Sequence, residues 1–209
     1  MPIAFLTDSA LAAFGSSFTA ITLAELGDKT FFMALILAAR HRPRWVFIGA
    51  FSALVVVSLI SLALGFGFRG LLPQMLLKWL AVVLFIGFGV KLLIDANGAE
   101  DQTNEAALAV AKAESNQKIN SPWLVIWEAF LLVFIAELGD RTQIATIVLA
   151  TAPGFGFQAL LAGTLGGHAF VTWIAVSAGG WIKGRINDKL LYQLSGVLFL
   201  LFGFAAIWF

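Results

Sequence analysis

Apolar residues along this chain form long blocks, which short polar or proline-containing segments separate. Each block has about 20 residues or more, the length that an α-helix needs to cross a hydrocarbon core of about 30 Å. A basic segment with a proline, residues 40–44, ends the first block, and Pro153 follows the fourth. The pattern predicts an integral membrane protein of the all-α class with six transmembrane helices, at approximately residues 12–39, 45–66, 73–94, 122–151, 157–181 and 189–209.

The basic residues between these helices predict an orientation. With six helices, both termini share a side with the connections 2–3 and 4–5, where only Arg69 and Lys78 lie. The opposite side has nine Lys and Arg residues, at positions 40, 42, 44, 91, 112, 118, 183, 185 and 189. Because cytoplasmic loops carry the excess of basic residues, we expect both termini outside the cell and the connections 1–2, 3–4 and 5–6 in the cytoplasm.

Residues 96–121 form the one long polar segment, between the third and fourth predicted helices. Its part from Glu105 to Lys112 has high helix propensity. We interpret the segment as a solvated cytoplasmic linker with a short surface helix, and a regulatory site is the less favoured alternative. The chain then divides into a first three-helix repeat over residues 1–95, this linker, and a second three-helix repeat over residues 122–209.

The composition agrees with a membrane protein and excludes several other classes. Hydrophobic residues make up 60% of the chain and charged residues 12%, whereas a soluble domain carries about twice that charge. The net charge of +1 gives no support for a nucleic-acid partner, and no nucleotide-binding motif points to ATP. The chain has no cysteine, which excludes disulfides and thiolate metal sites. The first eight residues contain no Lys or Arg, so we expect no cleavable targeting peptide.

A six-residue motif occurs twice and reveals an internal repeat. Residues 25–30 read Glu-Leu-Gly-Asp-Lys-Thr, and residues 137–142 read Glu-Leu-Gly-Asp-Arg-Thr, a shift of 112 positions. A shift of 114 positions aligns the third helix with the sixth. Because each copy has three helices, an odd number, the two copies are expected to cross the membrane in opposite directions. Inverted repeats of this kind place a substrate site between the copies, near the middle of the membrane.

Four motif carboxylates, those of Glu25, Asp28, Glu137 and Asp140, are the candidate ligands of such a site. Ionisable groups at the middle of a transmembrane helix cost several kcal/mol, and they usually mark a pathway or a binding site. A cluster that offers only oxygen ligands suits a hard divalent cation such as Ca²⁺, Mn²⁺ or Mg²⁺. Further oxygen atoms come from Thr30, Thr142 and Gln143; the first copy has Phe31 where the second has Gln143.

The same carboxylates would also bind protons. Four negative charges cannot all persist at low dielectric without a counterion, so protons would occupy the cluster whenever the metal does not. Competition between metal and protons for the same oxygens is the minimal mechanism of a cation/proton antiporter.

The motifs have a purely structural interpretation as well. Glu25 and Lys29 are four residues apart, as are Glu137 and Arg141, so each pair has the spacing of an intrahelical ion pair that neutralises its helix. This pairing gives no role to Asp28 or to Asp140, its counterpart in the second copy. We therefore favour a transport site and treat Lys29 and Arg141 as possible ion-pair or proton-coupling residues.

Two further polar residues in the predicted helices are weaker candidates. Glu128 lies nine residues before Glu137, where it would relay ions or protons or simply contact water at the interface. His168 lies in the fifth helix beside Gly163 and Gly167, which favour close helix packing. A membrane-embedded histidine can shuttle protons, although an ordinary packed histidine is the more common case.

The paired motif E-x-G-D-[KR]-[TS] in the first and fourth helices resembles the divalent cation/proton antiporters that include bacterial manganese exporters and Golgi Mn²⁺/Ca²⁺ exchangers. The resemblance covers both halves of the chain and leaves out the linker. It implies export of Mn²⁺, or exchange of Ca²⁺, driven by inward proton flow, with no cofactor beyond the transported cation. It also implies a cation site built by the four motif carboxylates, with support from Thr30, Thr142 and Gln143. The short chain is similar to the bacterial members, which favours Mn²⁺ over Ca²⁺ and the plasma (inner) membrane of a bacterium.

Three other functions remain open at this level. An exporter of a small organic solute, such as an amino acid, is possible on the same six-helix plan, but an amine needs only one or two carboxylates. An intramembrane aspartyl protease would have to operate with Lys29 and Arg141 beside its acids, so we expect no enzyme. A structural subunit predicts that neutralising all four acids leaves function intact. The oligomeric state does not follow from the sequence.

Overall fold

The computed structural model describes residues 8–71, 73–95, 99–114 and 121–179, together with residues 197, 200, 201 and 204. Apart from these four positions, the predicted sixth helix lies outside the described residues. The basic residues Lys183, Arg185 and Lys189 lie outside them as well. The described part is helical and contains no strand, which confirms the all-α prediction. Its helices are α1 (Asp8–Glu25), α2 (Lys29–Arg40), α3 (Pro43–Phe68), α4 (Gln74–Asp95), α5 (Ala99–Glu114), α6 (Pro122–Glu137), α7 (Arg141–Thr151) and α8 (Phe157–Ala178).

The first and fourth predicted helices are each broken at the motif. In both copies the helix ends at the Glu, the glycine takes a left-handed conformation, with φ of +79° at Gly27 and +80° at Gly139, and the next helix begins after the Asp. Asp28 and Asp140 have the same extended backbone, with φ −75° and ψ 167°. The expectation of one continuous helix through each motif is therefore wrong, because a glycine with positive φ ends a helix.

Length and hydropathy single out α3 and α8 as helices able to cross a membrane. The pair α6–α7, which bends by 67° at the second motif, qualifies as a third if it is counted as one broken span. These counts concern the described residues only. They agree with a helical membrane protein, and the full set of six helices stays a prediction.

Two close helix contacts, each at a glycine, correspond to each other through the internal sequence repeat. Gly49 of α3 lies directly against the carbonyl of Ile126 in α6, and Gly163 of α8 lies against the carbonyl of Phe14 in α1. Gly49 and Gly163 are 114 positions apart, and Phe14 and Ile126 are 112 positions apart, the two shifts of the repeat. A contact between a glycine of one copy and the first helix of the other copy thus occurs twice, once in each direction.

A second pair of glycines follows the same rule. A Cβ atom on Gly65 would lie 2.5 Å from the carbonyl oxygen of Ile147, and a Cβ atom on Gly179 would lie 2.6 Å from that of Leu35. These residues again correspond by shifts of 114 and 112 positions. The α3–α7 and α8–α2 contacts are therefore equivalent, and both pack one copy of the repeat against the other.

Replacing Gly163 by Ala is expected to lower the stability of the protein by about 1–3 kcal/mol, because the added methyl group would overlap the α1 backbone and Ser17. The measurement is thermal unfolding of the purified protein in detergent. Gly87→Ala in α4 is the matched control, since a Cβ at Gly87 meets nothing within 4 Å. Equal melting temperatures for the two variants would contradict the assigned α1–α8 contact.

The polar linker contains a packed helix. In α5, Ala106 and Val110 are fully buried and belong to the same apolar core as α2, α3 and α6. Leu108, on the other face, remains exposed. The helix expected in the linker is thus held against the helical core by one narrow apolar face.

Arg69, just beyond the end of α3, ties α3 to the end of α7. Its guanidinium donates hydrogen bonds to the carbonyl oxygens of Ala150, Ala152 and Phe155, at 2.7–3.1 Å. These carbonyls include ones that a helix C-terminus leaves without backbone partners.

Candidate cation site

The two motif copies have the same internal hydrogen bond. Thr30 Oγ1 donates to Glu25 Oε2 at 3.0 Å, and Thr142 Oγ1 donates to Glu137 Oε2 at 2.8 Å. Each Glu is the last residue of one helix, and each Thr lies in the first turn of the next. The hydrogen bond therefore spans the break and fixes one carboxylate oxygen of each Glu.

Three carboxylates from the two copies converge. Asp28, Glu137 and Asp140 each offer an oxygen atom, and these oxygens all lie within 4.8 Å of one another. Ligand oxygens of Ca²⁺ lie 2.3–2.6 Å from the ion, so two ligands of one ion are at most about 5 Å apart. The three carboxylates are thus close enough to share one divalent cation.

Burial makes the negative charges of these three carboxylates unfavourable unless a cation or a proton neutralises them. Asp28 and Glu137 are 2% and 0% exposed, and Asp140 is partly buried. Asp28 Oδ2, Glu137 Oε1 and Asp140 Oδ2 have no hydrogen-bond partner in the described part of the chain. Because buried polar atoms nearly always have partners, an unpartnered oxygen on each of the three converging carboxylates fits a ligand of a cation.

Glu25, the fourth predicted ligand, lies outside this group of three. Its Oε1 atom is 3.3 Å from Nδ1 of His168 in α8, and both side chains are buried. Glu25 and Thr30 also line a small apolar cavity with Phe31 and Thr172. The structure thus brings His168 to the motif, and Glu25 is not one of the three carboxylates whose oxygens all lie within 4.8 Å of one another.

The basic residue of the second motif contacts the first motif. Arg141 Nη2 donates to Asp28 Oδ1, and the two side chains are 10% and 2% exposed. The break at residues 138–140 removes the continuous helical spacing on which an intrahelical Glu137–Arg141 pair depends. The interpretation of the motif as one helical turn is therefore wrong, and the ion pair that forms joins the two copies.

Gln143 and Glu128 are the two remaining predicted residues. Gln143 Oε1 accepts a hydrogen bond from the backbone N–H of Gly139 at 2.6 Å, so this amide oxygen stabilises the break. Phe31, its counterpart in the first copy, is buried and packs edge-on against Phe32. Glu128 is half-buried in α6, and its role stays a prediction.

A cavity leads from the site towards α4 and α5. Two of the residues that line it, Lys91 of α4 and Glu105 of α5, are exposed, and their position near the motifs could not be predicted from the sequence. The helix propensity of the linker was the available signal for Glu105, but its position depends on the packing of α5. The other lining residues are Asp28, Lys29, Phe88, Gly139, Asp140, Arg141 and Ile144.

Comparison with known proteins identifies relatives of the chain. A sequence model of the divalent cation/proton antiporter GDT1 family matches residues 13–100 and 125–209. GDT1-like protein sll0615 of Synechocystis sp. is 40% identical over 204 residues, which cover 95% of this chain and 98% of that protein.

Chloroplast relatives are longer than this chain. GDT1-like protein 1, chloroplastic, of Oryza sativa subsp. indica is 40% identical over 205 residues, covering 90% of this chain and 60% of the relative. Protein PAM71, chloroplastic, of Arabidopsis thaliana is 36% identical over 206 residues, covering 91% of this chain and 55% of the relative. No solved structure matches the chain. Since the family match includes both motif copies and both halves, the chain belongs to the GDT1 family of divalent cation/proton antiporters.

Proposed function

We propose that this protein exports a divalent metal cation, Mn²⁺ in preference to Ca²⁺, in exchange for protons. The observation that carries the proposal is the convergence of Asp28, Glu137 and Asp140, with three buried oxygens that have no partner among the described residues. Membership of the antiporter family supports the class of substrate. The cation is cargo, and the proposal requires no resident cofactor, no ATP and no nucleic acid.

Metal and protons compete for the carboxylates in the proposed mechanism. A divalent cation neutralises the charges of the cluster when it binds, and protons neutralise the same oxygens when it leaves. Because the cluster is buried, a state with neither metal nor protons is unfavourable. The protein therefore changes conformation either loaded with metal or loaded with protons, which couples the two flows.

The ligand set agrees with Mn²⁺ but admits Ca²⁺. Both ions accept carboxylate oxygens, and Ca²⁺ takes six to eight oxygen ligands in flexible geometry. The described cluster supplies three carboxylates, and Gln143 is engaged with the backbone of Gly139. Mn²⁺ favours octahedral coordination by six ligands, so a site with few protein ligands suits Mn²⁺ better than it suits Ca²⁺. The preference for Mn²⁺ also follows from the resemblance to bacterial manganese exporters.

The proposed architecture is two inverted three-helix repeats in the plasma membrane of a bacterium, with both termini outside. The duplicated helix breaks, the duplicated Thr–Glu hydrogen bonds and the equivalent glycine contacts support two structurally similar halves. On this topology the linker helix α5 is cytoplasmic, so the cavity beside Glu105 connects the site with the cytoplasm. The described conformation is then the one that accepts cations from inside the cell.

Transport into proteoliposomes tests substrate and coupling together. With protons concentrated inside the vesicles, we expect Mn²⁺ uptake, accompanied by proton efflux and slower uptake of Ca²⁺ and Mg²⁺. Vesicles without the pH gradient are the control. Metal uptake that neither moves protons nor responds to the gradient would contradict exchange. Gradient-driven uptake of an amino acid without any metal uptake would favour the organic-solute exporter.

A further inference from the structure

The contact between Arg141 and Asp28 places a fixed positive charge in the proposed cation site. Arg141 Nη2 donates to Asp28 Oδ1, and neither side chain is more than 10% exposed. Asp28 is also one of the three carboxylates whose oxygens lie within 4.8 Å of one another. A guanidinium therefore binds a carboxylate that the transported cation needs.

Arginine cannot give up its charge to accommodate the metal. Its guanidinium stays protonated in proteins, and its planar fork of N–H groups holds a carboxylate more firmly than an ammonium does. A divalent cation bound by Asp28 would lie within a few ångströms of this group, and like charges repel strongly where water is excluded. Binding of the metal must therefore displace Arg141 from Asp28 or be weakened by it.

The two copies of the motif differ at this position. Lys29 is the counterpart of Arg141, and it lines the same cavity. Among the described residues, no ion pair of this kind joins Lys29 to a carboxylate. The direct ion pair at the cluster thus comes from the second copy, so the two halves of the site differ in this contact.

We propose that Arg141 is a tethered competitor of the transported cation for Asp28. It holds the carboxylate when the metal is absent and releases it when a divalent ion binds. The proposal rests on the proposed function and adds to it a residue that limits how tightly the site retains its cargo. It also favours divalent over monovalent cations. A monovalent ion would only replace the single positive charge of the guanidinium, whereas a divalent ion brings one charge more to the three carboxylates.

Direct binding of Mn²⁺ to the purified protein tests the role of Arg141. The measurement is calorimetry at pH 8.5, where protons compete least. Arg141→Gln is expected to bind Mn²⁺ about tenfold more tightly than the wild type, because it removes a like charge from the site. In proteoliposomes the same variant is expected to show a lower KM and a lower kcat, because release of the cation becomes slower.

Two variants separate this role from a general effect of charge. Arg141→Lys keeps the charge and is expected to restore affinity and turnover to within about threefold of the wild type. Lys91→Gln removes an exposed positive charge from the rim of the same cavity, so it should change the affinity by less than about twofold. An equal gain in affinity from Lys91→Gln would overturn the contact-specific role of Arg141.

A second background keeps the test decisive if Arg141→Gln fails to fold. Asp28→Asn removes the contested carboxylate but leaves the charge of Arg141 beside the remaining ligands, so Asp28→Asn combined with Arg141→Gln should still bind Mn²⁺ more tightly than Asp28→Asn alone, by less than the gain of about tenfold expected with Asp28 present. The double variant also leaves no buried unpaired charge at this contact. Unchanged or weaker binding in both backgrounds would overturn the proposal while leaving the proposed function intact. A wild-type protein that binds no divalent cation would refute the proposed function itself.

Discussion

Replacing Glu137 by Gln is expected to reduce proton-driven Mn²⁺ transport by at least about 100-fold, because the proposed cation loses a negatively charged ligand that also accepts a proton. Glu137 is 0% exposed, and Thr142 holds its Oε2 atom at 2.8 Å. Its Oε1 atom has no partner among the described residues and belongs to the three converging carboxylates. Glutamine keeps the size and the hydrogen bond from Thr142 but supplies a neutral ligand that accepts no proton at ordinary pH.

The measurement is the initial rate of Mn²⁺ uptake into proteoliposomes, together with direct Mn²⁺ binding to the same preparation. Glu114→Gln, at the last residue of the linker helix α5 and outside both motif copies in the sequence, removes an equal charge and is expected to transport normally. Because Glu137→Gln removes a buried charge, it should fold at least as well as the wild type, so a loss of transport will not reflect unfolding. Transport within a few-fold of the wild type would show that Glu137 is not a ligand.

The repeated motif and its chemistry could be predicted from the sequence because both depend on residue identity. Carboxylates in apolar helices are expensive, and their duplication at one shift singled out Glu25, Asp28, Glu137 and Asp140. The structure brings three of these within 4.8 Å of one another, whereas the prediction had all four converge, so a binding role for the four stays a prediction. The predicted inequality of the copies is also present, but Arg141 supplies it at the cluster, while Gln143 contacts the backbone of the break.

The helix breaks could not be predicted, because a single glycine in an apolar block is compatible with a continuous membrane helix. Glycine adopts positive φ about as readily as negative φ, so no local rule required the positive φ of Gly27 and Gly139. The assumption of a continuous helix then produced the wrong partners for Arg141, since four residues across a break are no longer one turn. The contact with Asp28 connects residues 113 positions apart, beyond the reach of spacing arguments.

The packing of α5 against the helical core could not be predicted from the sequence either. The linker has low average hydropathy, which indicated a solvated segment, but two small apolar residues on one face, Ala106 and Val110, are sufficient to bury that face. This packing puts Glu105 at the cavity that leads to the motifs. The linker therefore contributes to the route to the site, although its charge pattern alone indicated only a water-exposed connection.

The affinity of the protein for Mn²⁺ is expected to fall steeply as the pH falls. If each bound cation displaces one proton from the cluster, the dissociation constant rises about tenfold for each unit of pH decrease, and about 100-fold if it displaces two. The sign follows from competition: acid fills the oxygens of Asp28, Glu137 and Asp140 with protons, and the cation must remove them. The slope of the logarithm of the dissociation constant against pH therefore counts the exchanged protons.

Calorimetry of Mn²⁺ binding at pH 6, 7 and 8, in two buffers of different ionisation enthalpy, measures this number twice. The slope gives it from the affinities, and the difference in heat between the buffers gives it from the protons released. Asp140→Asn, which removes one of the three carboxylates, should bind more weakly and release fewer protons per ion. An affinity that does not change between pH 6 and 8 would mean that metal and protons use separate groups. Exchange would then require a proton site apart from the cluster, for which the buried Glu25–His168 contact is the available pair.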